Sequence, residues 1–173
     1  MSVLAARNAA EKLIDRMGIH SPPVDVHGIA RSLGLRVVYE DLGSDISGVL
    51  VSRDGAASIA VKKSDKEPRK RFTVAHEIGH YYLRHHIQRN ELVHADEHRQ
   101  VIYRSAKASE GLDQMEVQAN QFAASLLMPT RLVREHVERR PKPMGDSDVE
   151  ELAEAFNVSV QAMTIRLTTL GLL

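Results

Sequence analysis

His76-Glu77-Ile78-Gly79-His80 is the segment whose residue types and spacing could do chemistry. On an α-helix, residues four apart are offset by ~40° and one turn of ~5.4 Å, so His76 and His80 can meet one cation. Imidazole nitrogens bind zinc at ~2.0–2.1 Å, a distance both rings can reach. Glu77 projects near the same face but off the line of the two histidines. That suits it to accept a proton rather than to ligate. Zinc coordination brings the pKa of water toward ~7, where a carboxylate can complete the deprotonation. The pattern fixes only three positions, and a surface helix carrying two histidines would also match it. The flanks Phe72-Thr73-Val74-Ala75 and Tyr81-Tyr82-Leu83 supply a helical, apolar setting that favours the metal. Gly79 costs ~1 kcal/mol of helix propensity relative to Ala, which points to a packing reason for it.

A zinc hydrolase needs a third protein ligand and an open fourth position. Three candidates exist. His86 lies six residues after His80, the metzincin spacing, but that pattern needs Gly where Leu83 stands. If the helix continues, His86 falls ~240° around and ~9 Å along from His80, out of reach. His94-Ala95-Asp96-Glu97-His98 matches the inverted order H-x-x-E-H, yet its charged flanks read as a solvated loop. Glu116 sits one turn into a helix of Met115, Ala119, Phe122, Ala123, Leu126 and Leu127. A carboxylate from a second helix would complete a two-His-one-Glu site, with Asn120 one turn on to orient it. Asp113-Gln114-Met115-Glu116 also resembles a capping box, which would tie Glu116 to the helix start. These residues alone leave ligand and cap open. Tyr103 is a candidate donor to a reaction oxyanion.

The elements that must position these groups follow from periodicity and punctuation. Val3, Ala6, Ala10, Leu13, Ile14 and Met17 recur at helical spacing up to Gly18. After Pro22-Pro23, a shorter helix buries Val26, Ile29, Ala30 and Leu33 and stops at Gly34. Leu35–Tyr39, Ile46–Val51 and Ser58–Val61 read as strands, the last two joined at the hairpin signal Asp54-Gly55. The spacing predicts a helix over Asp65–His85, with Pro68 in its first turn. A short strand follows at Val101–Tyr103, then helices over Asp113–Met128 and 130–139. Pro141–Gly145 reads as a linker, and two short helices, Asp148–Phe156 and Val160–Leu170, close the chain. The expected fold is α+β: a small antiparallel sheet packed against helices carrying a zincin-type metal site, with a C-terminal helix-turn-helix-like pair. Residues 1–140 would form the zinc metallopeptidase domain and 146–173 the C-terminal helical subdomain.

Composition excludes several other classes. The chain has 173 residues, enough for one domain with a small appendage. Lys plus Arg and Asp plus Glu each total 23, so no global field draws in nucleic acid or lipid. The absence of cysteine excludes disulfides, thiolate zinc sites and a Cys nucleophile. The longest apolar run is Val3 to Ala6, far below the ~20 residues of a membrane helix. Charges at Arg7, Glu11 and Lys12 oppose a signal peptide. A cytoplasmic protein without membrane contact is expected.

Two long stretches carry a family resemblance. Arg71-Phe72-Thr73-Val74-Ala75-His76-Glu77-Ile78-Gly79-His80, followed by Glu116-Val117-Gln118-Ala119-Asn120-Gln121-Phe122-Ala123-Ala124-Ser125-Leu126-Leu127-Met128-Pro129, resembles the ImmA/IrrE family of gluzincin-like metallo-endopeptidases. Pro23-Val24-Asp25, the hairpin strand with Gly48 and the closing Phe156–Ser159 and Arg166–Gly171 extend the likeness over nearly the whole chain. It implies that His76, His80 and Glu116 bind one zinc ion and that Glu77 is the catalytic base. It also implies a hydrolase of narrow specificity acting on a helix-turn-helix repressor or antitoxin, in transcription regulation or a toxin–antitoxin pair. Lys62-Lys63 departs from the family, which often has Asn there. With Lys66, Arg69, Lys70 and Arg71 these lysines make the start of the metal helix basic. Asp146, Asp148, Glu150, Glu151 and Glu154 argue against direct DNA binding by the C-terminal pair, because phosphate contacts dominate such affinity. The alternative is a regulatory module that keeps the zincin fold but acts by sequestering a partner or by binding DNA.

Overall fold

The computed structural model describes residues 2–43, 46–53, 56–85, 110–140 and 143–173. Among them α1 (Val3–Arg16) opens with Ser2, whose hydroxyl accepts from the Ala5 N–H at 3.2 Å. Helix α2 (Val26–Ser32) is capped by Asp25, which accepts from the Gly28 N–H at 2.9 Å. Each cap occupies an N–H that the first helical turn leaves without an intrahelical partner. Strands β1 (Leu35–Glu40), β2 (Gly48–Arg53) and β3 (Ala56–Lys62) form the sheet. The helices that follow are α3 (Glu67–Tyr82), α4 (Glu110–Leu127), α5 (Thr130–Val137), α6 (Asp146–Phe156) and α7 (Val160–Thr169).

The fold is α+β as expected, but the sheet is mixed rather than antiparallel throughout. Its order is β1-β3-β2. Strands β2 and β3 pair antiparallel, with Arg53 opposite Ala56, as the hairpin signal requires. Strand β1 runs parallel to β3, with Val37 opposite Ile59. The buried run Ile59-Ala60-Val61 explains the arrangement: a strand apolar on consecutive residues belongs in the middle of a sheet. The preceding strand β2 is left at the edge.

One contiguous core joins both ends of the chain, from Ala6 and Leu13 in α1 through Val74 and Ile78 in α3 to Phe156 and Leu167 in α6 and α7. Two buried arginines tie the last helices to the rest. Arg71 of α3 donates to the carbonyls of Val24, at 2.8 Å, and Asn157, at 3.1 Å, and burial lowers its pKa. Arg166 of α7 donates to the Met128 carbonyl at 2.9 Å and to the Thr130 hydroxyl at 3.2 Å. Its pKa falls to about 10 through burial, opposed by Glu11 and assisted by Arg7, so it remains a cation at neutral pH. Glu11 lies 3.5 Å away and accepts from the Thr130 N–H at 2.9 Å and the Thr130 hydroxyl at 2.6 Å.

No helix among the described residues is long and apolar enough to cross a membrane. The sequence expectations at His86, His94–His98 and Val101–Tyr103 lie outside the described residues, as do Asp54 and Gly55 of the hairpin turn.

Candidate metal centre

Helix α3 buries its middle, from Thr73 to His80, with Pro68 at its start where no intrahelical N–H is needed. His76, Glu77 and His80 thus leave a rod fixed on several sides. Helix α4 crosses it at Gly79. A Cβ there would stand 3.3 Å from both Cα and O of Ala119 and 3.2 Å from Phe122 Cδ1. Glycine lets the two helices meet main chain to main chain, which is the packing reason its cost implied.

That contact brings Glu116 to the histidines. Its carboxylate oxygens lie 3.2 Å from His76 Nε2 and 3.3 Å from His80 Nε2, and the two Nε2 atoms are 2.9 Å apart. One donor atom from each residue falls within 4.8 Å of the others, so the three could hold a metal ion. The capping alternative for Glu116 does not apply. Helix α4 starts at Glu110, a turn and a half earlier, so Asp113 and Glu116 both lie in its interior.

The hydrogen bonds behind the rings define what the cluster lacks. His76 Nδ1 is 2.9 Å from Asn120 Oδ1, an acceptor, so Nδ1 carries the proton and Nε2 presents a lone pair. His80 Nδ1 is 3.0 Å from His85 Nδ1, and His85 Nε2 is 3.0 Å from Gln118 Oε1. If His85 donates to that amide oxygen, its Nδ1 accepts and His80 must donate. His80 Nε2 then also presents a lone pair. Two imidazole lone pairs and a carboxylate converge on one point. Three acceptors so placed can share one cation, and two nitrogens with one carboxylate suit zinc. The donor set fits the metal.

Two features of the site escaped the sequence reading. Helix α3 does not run on to His85: it ends at Tyr82, and Arg84 adopts a left-handed conformation with φ 60°. The sharp turn returns His85 to the site with only 2 % of its surface exposed. Gln118 has no role in the sequence reading beyond its place in the family stretch. Asn120 does lie beside the site, though it meets a histidine ring rather than the Glu116 carboxylate. Arg71, counted with the basic face, is buried and bonded to carbonyls instead.

Edge strand β2 begins against the same helix. A Cβ at Gly48 would stand 2.2 Å from Thr73 Cγ2 and 3.7 Å from Glu77 Cγ, so only glycine admits the strand this close.

The profile of the IrrE N-terminal-like domain, a peptidase family, matches residues 30–168. The chain belongs to this family. No curated protein matches the chain significantly. Among solved structures, a Mycobacterium tuberculosis transcriptional regulator is similar at TM-score 0.64 and 18 % identity, over 96 % of this chain and 47 % of that one. The chain therefore spans about half the length of that regulator. The fold of this IrrE N-terminal-like domain is metallopeptidase-like, and its His76–His80–Glu116 group is compatible with that chemistry.

Proposed function

We propose that the chain is a zinc-dependent endopeptidase of narrow specificity that cleaves a helix-turn-helix repressor or antitoxin-type regulator in the cytoplasm. The observation that carries the reading is the meeting of three acceptors, from the buried His76 and His80 and the half-buried Glu116, at one point. These side chains would hold the zinc. When bound, zinc supplies a Lewis acid that acidifies water and polarises the scissile carbonyl. Glu77, beside the first ligand and under the start of β2, takes the proton of the attacking water and returns it to the leaving amine. Among the described residues β2 pairs only with β3, leaving an edge that an extended peptide can join by main-chain hydrogen bonds. A peptide there would run past Glu77. Residues 1–140 would carry the peptidase and 146–173 a helical subdomain held to it by Arg71 and Arg166.

Glu77→Gln tests the assignment. Cleavage of a helix-turn-helix repressor substrate should fall by about 10²-fold or more, with one zinc still bound. Undiminished cleavage would refute it. The similarity to a transcriptional regulator supports one second reading, a regulatory module that keeps the zincin fold and acts by sequestering a partner or by binding DNA. A Glu77→Gln chain that retains its full biological effect would establish that alternative.

A further inference from the structure

We propose that His85 and Gln118 form a relay that sets the tautomer of His80, keeping Nε2 unprotonated and aimed at the cation; this rests on the metal reading above. A buried histidine with a purely structural role is satisfied by any nearby carbonyl. His85 instead spends Nδ1 on the ring of His80, at 3.0 Å, and Nε2 on Gln118 Oε1, also at 3.0 Å. Two Nδ1 atoms at that distance can share only one proton, so one ring must donate and the other accept.

The amide of Gln118 decides which. With its oxygen toward His85, the proton order runs from His80 to His85 to Gln118, and His80 Nε2 presents a lone pair to the cluster. With the amide nitrogen turned inward, the order reverses and His80 Nε2 carries a hydrogen directed at the His76 ring. That arrangement cannot bind a metal. The partner behind a ligating imidazole fixes its tautomer and orientation and raises its basicity. Asn120 does this for His76, and the relay does it for His80 over a longer path.

The chain reaches this arrangement at a cost. Arg84 sits at φ 60°, a conformation that disfavours a side chain, and the turn holds as Leu83 and His85 bury on either side of it. Gln118 projects from α4 two residues after Glu116, with 6 % of its surface exposed. One helix therefore supplies both the carboxylate and the anchor of the relay.

Nitrogen–proton correlation spectra of the metal-free protein read the tautomer of His80, and chelator competition reads zinc affinity. In the unaltered chain His80 should carry its proton on Nδ1. His85→Phe keeps the ring volume and removes the acceptor. It should shift His80 toward the Nε2–H form and weaken zinc binding by 10–100-fold, the usual effect of losing such a partner. His85→Asn, which places an oxygen near the former Nδ1, should restore most of both. Gln118→Leu should reproduce the His85→Phe result, and it carries the same readouts if His85→Phe does not fold. Unchanged tautomer and unchanged zinc affinity in the folded variants would overturn the relay while leaving the metal reading intact. An unaltered chain that shows the Nδ1–H tautomer yet takes up no zinc would overturn the metal reading and leave the relay standing.

Discussion

Two polar clusters lie where helices meet in this molecule, and they differ in how their donors and acceptors balance. Around Arg166, the Glu11 carboxylate, the Thr130 hydroxyl and the Met128 carbonyl each find a donor within the chain. Around His80, two ring nitrogens and the Glu116 carboxylate face one another as acceptors. The first cluster has a donor for every acceptor, leaves only Arg166 Nη1 over, and closes a joint. The second gathers acceptors at a point where the three residues could hold a metal ion. Burial and proximity are shared, so neither property separates scaffold from site. The sign of the imbalance does.

The largest test of that contrast removes a ligand. His80→Ala should abolish stoichiometric zinc binding, and with it the stabilisation zinc confers. In the unaltered chain this should reach about 4 kcal/mol at zinc a thousandfold above Kd, measured as the difference between melts with zinc and with chelator. A variant that melts identically in both conditions while the unaltered chain does not would bear out the imbalance. Arg166→Leu probes the other cluster. It leaves the Met128 carbonyl without its donor and Glu11 with one fewer, and should cost about 2–3 kcal/mol in denaturant melts. Its zinc affinity should hold within about twofold, since the two clusters share no partner and distant sites act independently. A large loss of zinc would show that the clusters are coupled. Gly79→Ala gives the smallest effect and sharpens the comparison at the seam between α3 and α4. A helix-propensity gain of ~1 kcal/mol opposes an overpacking cost of about 1–3 kcal/mol against Ala119 and Phe122, for a net loss near 1 kcal/mol. Zinc affinity should fall several-fold, because the ligands of the two helices separate. Equal affinity would place the fit elsewhere than at this contact.

Much of this was legible in residue order. The two histidines announce themselves by spacing, and the helix that carries them by its apolar flanks. Glu116 did not stand out by chemistry alone, since a carboxylate three residues after Asp113 also looks like a cap. Only the earlier start of α4, at Glu110, removes that alternative, and helix starts depend on packing that local sequence does not encode. The direction of β1 was likewise hidden: alternation marks a strand but not which way its neighbour runs. His85 was hidden for a different reason. Leu83 and Arg84 carry no turn residue, so the left-handed break that returns His85 to the site comes from tertiary burial overriding local preference.

The paired arginine links bear on how the last two helices belong to the molecule. Arg71 leaves the first half of α3, and Arg166 grips the residue just past the end of α4, so the tail clasps each helix of the candidate metal centre at one end. Lifting α6 and α7 away must unfasten both clasps together.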